Sequence, residues 1–417
     1  MNSPTRRHHN STDWLLESRL APYVDAFSRH LTERGYASGT IDSYLACVAH
    51  FARWTTCCRL DIHGIDEDVV RRFLDDHRPR CNCAYPVRRT RHDLRAALRH
   101  LLIVLRANSV IAEHILAVTP VDEELRRFDD YMNHVRGLAP KTRGMALHTV
   151  RRLLFDQFGE RPVVISAIKP EGVRKFVACQ HELYSTPGSA GTLASALRGY
   201  FRFRITCGDQ MHGLIGVVSY PANWQLASLP KALSSAEVER LLEALGHNGP
   251  SARRSGAVVR CALDLGLRSS EVARLSLDDI DWHAGTVTLR RTKSRREDVM
   301  PLPDATGRVI ADYLEFERPR TTNRSVFVRH IAPRDQPIGP DLVRKVIRQA
   351  YARAGLPYTR AHLLRHTMAR RLLDGGSSLK EVADVLRHRS LNTTLIYAKL
   401  DSTNLAAVAL PWPGCAA

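Results

Sequence analysis

The sequence predicts a mainly α protein with a small β-sheet, organised as two helical modules followed by a mixed α+β domain. Three observations lead there. Apolar residues such as Phe27, Leu31, Tyr44, Val48 and Phe51 recur at spacings of three and four, the period of a helix buried on one side. Strand-like alternation is scarce, the clearest stretch being Thr286-Val287-Thr288-Leu289. The first half also repeats itself in three blocks of constant order, which points to a duplicated helical unit. RGYASGT at 34–40 returns as RGLAPKT at 136–142, IDEDVVRRF at 65–73 as IKPEGVRKF at 168–176, and Ala97-Leu98-Arg99 as Ala196-Leu197-Arg198.

Taken in order, residues 1–17 are expected to be a flexible N-terminus. Residues 18–115 form the first helical module, of roughly four helices, residues 121–227 the second, and residues 231–417 the mixed domain. Ser228-Leu229-Pro230-Lys231 reads as the linker, after which Ser234 and Glu237 have the spacing of a capping box opening a helix across Val238 to Leu245. Thr286 to Leu289 is a strand, a basic turn follows, and Asp298 to Leu302 returns as its partner, while Val326 to Val328 is a short strand at most. From Pro340 onward the period is helical. Gly266-Leu267 ends one helix and Ser269 or Ser270 caps the next. Asp374-Gly375-Gly376 breaks another, and Ser378 with Glu381 offers a second capping box.

Charge narrows the function. The 417-residue chain carries 61 basic against 43 acidic residues, a formal net charge of +18, and only eight of the basic residues are lysine. Arginine presents a planar fork of donors suited to phosphate, so the bias favours a nucleic-acid partner. The N-terminal MNSPTRRHHNSTDW lacks a following apolar region, so no secretory signal is expected, and no apolar stretch is long enough to cross a bilayer. With nine cysteines, an odd number at low density, reduced thiols and a cytoplasmic protein are the expectation. Neither G-x-x-x-x-G-K-[ST] nor G-x-G-x-x-G occurs, which leaves no phosphate-cradling loop for a nucleotide.

Each candidate for chemistry has an ordinary reading beside the functional one. Asp278, Asp279 and Asp281 cluster as a two-metal site would, but without a partner cluster they read as a solvated turn. Arg268, at a helix junction, would aim its fork at a phosphate with Glu271 steadying it, or be one surface arginine among many. His362 and Arg365 share a helix face, a spacing that chance supplies two or three times in so basic a chain. Lys293, in the turn Arg291-Thr-Lys-Ser-Arg-Arg296, reads as a general acid or equally as a solvated basic turn. Tyr397 is a phenol that surrounding cations would activate, or a packed aromatic. Cys57, Cys58, Cys81 and Cys83, with His63 and His77, would supply zinc ligands, but their spacing matches no standard C-x-x-C pairing and favours plain thiols. Basic runs at Arg88, Arg89 and Arg91 and at Arg291, Arg295 and Arg296 read as phosphate contacts or as solvated faces.

The order of these residues is more specific than any one of them. GLRSSE at 266–271, a lysine in the following hairpin, HLLRH at 362–366, His388 and Tyr397 nine residues later resemble the tyrosine recombinases of the phage-integrase family over roughly 231–402. Leu20 to Trp54 is similar to that family's helical core-binding domain. The resemblance implies a core-binding (SAM-like) module, which the internal repeat makes two, and a catalytic domain. It implies a site-specific recombinase or integrase that cuts and rejoins double-stranded DNA through a 3′-phosphotyrosine link, without ATP, metal or other cofactor. Tyr397 would be the nucleophile, Arg268 and Arg365 the phosphate clamp, Lys293 the acid for the departing 5′-oxygen, and His362 and His388 phosphate and proton contacts, with Glu271 supporting Arg268. It implies a homo-tetramer on synapsed sites, alone or with related recombinases, bound to the nucleoid and to no membrane. Two departures stand out: Arg387 occupies the place where the family usually has glycine, and a second helical module precedes the catalytic domain, which suggests a mobile-element enzyme. A non-catalytic DNA-binding relative and a type IB topoisomerase-like relaxase are the alternatives.

Overall fold

The computed structural model describes residues 9–83, 90–113, 118–183, 187–219, 231–246, 249–290, 297–388 and 394–398. The chain divides into two compact units, one joining residues 1–114 with 228–417, the other residues 115–227. No helix of the described residues is long and apolar enough to cross a membrane.

In the first unit the N-terminal bundle comprises α1 (His9–Leu16), α2 (Val24–Glu33), α3 (Ser38–Cys57), α4 (Glu67–Arg72) and α5 (Arg91–Ala107). Of the periodic residues read from the sequence, Phe27, Leu31, Val48 and Phe51 are buried in its core together with Phe73 and Leu98, and Tyr44 packs partly buried against it. The segment expected to be flexible through residue 17 is helical from His9. Leu15 is buried, and the Arg53 guanidinium lies 4.3 Å from the Trp14 ring centroid, so tertiary contacts hold a helix whose own sequence signals are weak.

The second unit repeats the pattern with α6 (Pro120–Asp130), α7 (Pro140–Phe158), α8 (Pro170–Leu183), α9 (Pro187–Thr206) and α10 (His212–Val217). Corresponding positions do the same work. Gly35 (φ +75°) and Gly137 (φ +56°) both turn the chain into the next helix in the left-handed region that glycine enters without penalty. Ile65 and Ile168 are buried beside equivalent 3₁₀ turns, Ile62–Gly64 and Ile165–Ala167, and Leu98 and Leu197 are wholly buried on α5 and α9. In this second core a buried carboxylate, Glu124, accepts a hydrogen bond from the Tyr200 hydroxyl at 2.8 Å and faces Arg204 at 3.4 Å.

The C-terminal part of the first unit opens with α11 (Ser235–Glu243), capped as its sequence predicts by Ser234 with Glu237 reciprocating. It continues with α12 (Ala252–Asp264), α13 (Ser269–Val272), the sheet, α14 (Asp304–Phe316), α15 (Pro340–Arg353), α16 (His362–Asp374), α17 (Leu379–Val385) and α18 (Leu395–Ala398). The sheet is antiparallel in the order β1 (Ile280–Asp281), β2 (Thr286–Leu289), β3 (Asp298–Pro301), with Val287 opposite Met300. The predicted hairpin is present. Val326 to Val328, by contrast, makes only isolated bridging contacts: its flanks pair Ser325 with Ser276 and Val328 with Pro337. The three aspartates are turn and cap groups. Asp279 accepts from the Ser276 N–H at 2.9 Å, Asp278 pairs with Arg324, and Asp281 accepts from the amides of His283 and Ala284.

Candidate active site

The junction between α12 and α13 is built around a glycine whose left-handed backbone and close surroundings disfavour a side chain. Gly266 has φ +56°, and a Cβ there would sit 2.6 Å from Met368 Sδ and 3.1 Å from Leu386. Its carbonyl accepts from Arg365 Nη1 at 2.5 Å, and Arg365 Nη2 donates to the Leu386 carbonyl, so two backbone oxygens from separate segments fix this guanidinium. Burial pushes Arg365 down to about 9, with the cations of Arg268 and Arg387 adding to the effect. It lies on the first turns of α16, where Leu363 and Leu364 anchor the helix in the main core.

Arg268 stands at the N-cap of α13. Its amide donates to Glu271 Oε2 at 2.9 Å and its Nη1 to Glu271 Oε1 at 2.7 Å, so the carboxylate one turn on orients the arginine. Glu271 also accepts from Arg387 Nη2 at 3.1 Å. Burial alone would raise its pKa, but Arg387 and the amide and guanidinium of Arg268 together hold it below the usual range.

Arg387 explains its own departure from the family pattern. Its φ is +54°, so the backbone takes the left-handed turn that a glycine would take there. The side chain folds inward, 2% exposed, with Nη1 donating to the Val385 carbonyl at 3.1 Å and lying 2.6 Å from Met300 Sδ on β3. Arg387→Gly would relieve about 1–2 kcal/mol of left-handed strain but break a buried ion pair, a loss of about 3–5 kcal/mol that Glu271's remaining partner reduces. The expected outcome is a net loss of about 1–3 kcal/mol in unfolding stability; a variant more stable than the parent in denaturant titration would contradict it.

Tyr397 is 1% exposed on the short α18, packed with Ala369, Val382 and Leu386. Its hydroxyl lies 2.6 Å from His366 Nδ1. The His388 ring stacks parallel at 6.4 Å between centroids, and His388 Nδ1 is 2.7 Å from the Thr394 hydroxyl. Burial pushes the phenol up to about 12, with Arg365 and Arg268 pulling the other way. Burial pushes His366 and His388 down to about 4, helped respectively by His362 and by Arg365. Near neutral pH the phenol and both imidazoles are therefore uncharged.

These shifts carry a pH dependence. An unfolded histidine titrates near 6.5, so between about pH 6.5 and 4 the unfolded chain holds more protons than the folded one, and stability falls as pH falls. Melting temperature should be highest above about pH 6.5 and decline steadily toward pH 4, less steeply when His366 and His388 are both glutamine. A melting temperature that does not move between pH 7 and 5 would count against it.

Of the residues singled out from the sequence, Arg268, Glu271, Arg365, His388 and Tyr397 are brought together. His362 is exposed at the start of α16 and is near enough to depress His366. Lys293, Arg88, Arg89, Arg291, Arg295 and Arg296 lie outside the described residues. Arg91 pairs with Asp75 and donates to the Leu74 carbonyl at 3.3 Å, so part of its fork is engaged within the bundle. The residue that sequence reasoning missed is His366. Its signal was the second histidine of HLLRH, next to the arginine already noted.

A helical domain with a small sheet, in which arginines from two segments and two imidazoles lie near one buried phenol, gathers groups suited to chemistry on a phosphodiester. The phage integrase family model matches residues 231–404. The y4rA protein of Sinorhizobium fredii, named as an integrase/recombinase, is 34% identical over 95% of this chain and 96% of its own length. The similarly named y4rF protein of that organism is 32% identical over 97% and 94%. Among solved structures, the Tn1549 transposon integrase in complex with circular intermediate DNA has the same fold, with a TM-score of 0.51 at 15% identity over 68% of this chain and 99% of that one. The chain belongs to the phage integrase family of tyrosine recombinases and is a site-specific DNA recombinase.

Proposed function

We propose that this recombinase breaks and rejoins DNA through Tyr397, and that its biological setting is a mobile element. The observation that carries the reading is the Tyr397 hydroxyl, held 2.6 Å from His366 and under the influence of Arg365 and Arg268. The phenol oxygen attacks the scissile phosphate, a P–O5′ bond breaks, and the products are a 3′-phosphotyrosine link and a free 5′-hydroxyl. Arg268 and Arg365 hold the non-bridging oxygens and stabilise the charge that gathers on them. Lys293 protonates the departing 5′-oxygen, while His362 and His388 contact the phosphate and relay protons. His366 adds a contact to the phenol. A neutral imidazole pushed down to about 4 is too weak a base to ionise a phenol near 12, so in the DNA-free protein it holds the hydroxyl in place, and ionisation awaits the reacting phosphate.

The phosphodiester's energy is retained in the tyrosyl ester, so religation to another strand requires no nucleotide. The substrate is double-stranded DNA, gripped through residues 18–115 and 121–227 as two core-binding modules and residues 231–417 as the catalytic domain, and four protomers act on a synapsed pair of sites. The setting is the cytoplasm, on the nucleoid. The two rhizobial relatives named as integrase/recombinase match both modules as well as the catalytic domain, and the Tn1549 integrase shares the fold; both support an element-borne enzyme. The test is capture on a nicked suicide substrate, in which the short fragment bearing the free 5′-hydroxyl diffuses away and cannot religate. A denaturant-stable protein–DNA adduct mapped by peptide sequencing to Tyr397 is expected. No adduct on any cognate site, or an adduct on another residue, would overturn the assignment.

A further inference from the structure

The N-terminal bundle holds a second cluster of chemically competent side chains. His50 lies on α3, wholly buried; His77 ends the π-helical turn Phe73–His77; Cys81 and Cys83 follow the 3₁₀ turn Arg78–Arg80. His50 Nε2 is 3.3 Å from His77 Nε2 and 3.3 Å from Cys81 Sγ, and Cys83 Sγ is 3.7 Å from His77 Nε2. All four ligand atoms lie within 4.8 Å of one another.

Those separations have a simple meaning. A zinc ion bound tetrahedrally at about 2.0–2.1 Å from nitrogen and about 2.3 Å from sulfur spaces its ligand atoms about 3.3–3.8 Å apart along the tetrahedron's edges. The three separations given above fall on or close to those edges. Two imidazoles and two thiols are also a donor set that selects zinc over magnesium or calcium, which prefer oxygen. The rings are held by packing. His50 is edge-on to Phe73 at 5.1 Å, and His77 stacks on Phe73 at 5.3 Å and lies against Trp54 at 5.9 Å. Both Nε2 atoms therefore point at one place through constraints that fix the rings rather than through chance rotamers.

We propose that His50, His77, Cys81 and Cys83 form a structural zinc site. With four protein ligands it would be closed, leaving no open position for catalysis. Its work is to fasten the stretch from His77 to Cys83, which carries Arg78 and Arg80, onto helix α3. The candidates suggested by cysteine spacing only partly overlap with this set. Cys57 and Cys58 are exposed and outside the cluster, and the His63 ring sits 2.7 Å from the Val110 carbonyl, whereas His50 comes from 27 positions before His77 and had no local signal.

The test uses the full chain purified from zinc-supplemented medium, with metal measured by mass spectrometry and the metal-stripped protein titrated with cobalt(II). About one equivalent of zinc is expected, with the intense visible bands of tetrahedral cobalt–thiolate on substitution. Cys81→Ser and Cys83→Ser should each fall below about a tenth of an equivalent, while the Cys57→Ser/Cys58→Ser double variant keeps its metal. Less than about a tenth of an equivalent in folded wild-type protein, with no cobalt bands, would overturn the site even if a cysteine variant failed to fold. So would a double variant at Cys57 and Cys58 that lost the metal while Cys81→Ser retained it.

Discussion

Tyr397→Phe is expected to abolish the covalent protein–DNA adduct while leaving fold and DNA affinity nearly unchanged. The ring is buried among Ala369, Val382 and Leu386, and phenylalanine preserves that packing. What disappears is one oxygen. His366 loses its partner at 2.6 Å, a cost of about 1 kcal/mol, which for a catalytic unit of this size lowers the melting temperature by about 2–4 °C. Strand cleavage should fall by on the order of 10⁶ or below detection, the scale seen when an enzyme loses its nucleophile. Gel-shift affinity for the same site should stay within about threefold, because most of it comes from phosphate contacts made elsewhere on the protein. An adduct that persists in the phenylalanine variant would place the nucleophile on another residue.

What was legible in the sequence is what local chemistry or repetition determines. The capping boxes at Ser234 and Ser378 form as their spacing requires, because each needs only residues three apart. The hairpin from Thr286 to Pro301 needs only alternation and a turn. The duplicated module was visible because its repeated turn, with a glycine at positive φ, keeps its sequence across both copies. The residues that escaped are those whose roles depend on distant partners. Strand β1 is two residues long and exists only through its pairing with β2. Val326 to Val328 looks like a strand but lacks a continuous neighbour. Arg387 read as added charge beside the site; only the structure turns it inward to Glu271, 116 positions away. His50 and His366 sit on helix faces whose opposite numbers arrive from other segments, so neither had a periodic signature. That Arg268, Arg365, His388 and Tyr397 come together was readable for a different reason: the order of residues along the chain is informative even when no single one is.

Arg365→Lys is the second large effect, and it separates charge from geometry. The guanidinium is 4% exposed and its fork is fixed by two carbonyls, Gly266 from the α12–α13 junction and Leu386 from the end of α17. A lysine keeps the positive charge but presents its donors from one atom on a flexible stem, so it cannot satisfy both carbonyls and still face a phosphate. If Arg365 acts only as a local cation, the variant should cleave within about tenfold of wild type. If it acts as an oriented clamp on developing charge, cleavage should fall by about 10²–10³-fold with little change in DNA affinity, and the second outcome is expected. Melting curves on the same samples separate this from simple unfolding, since a folded variant that binds DNA and cleaves slowly isolates the transition-state contribution. A folded variant cleaving at near-normal rate would show that Arg365 contributes its charge alone and not an oriented fork.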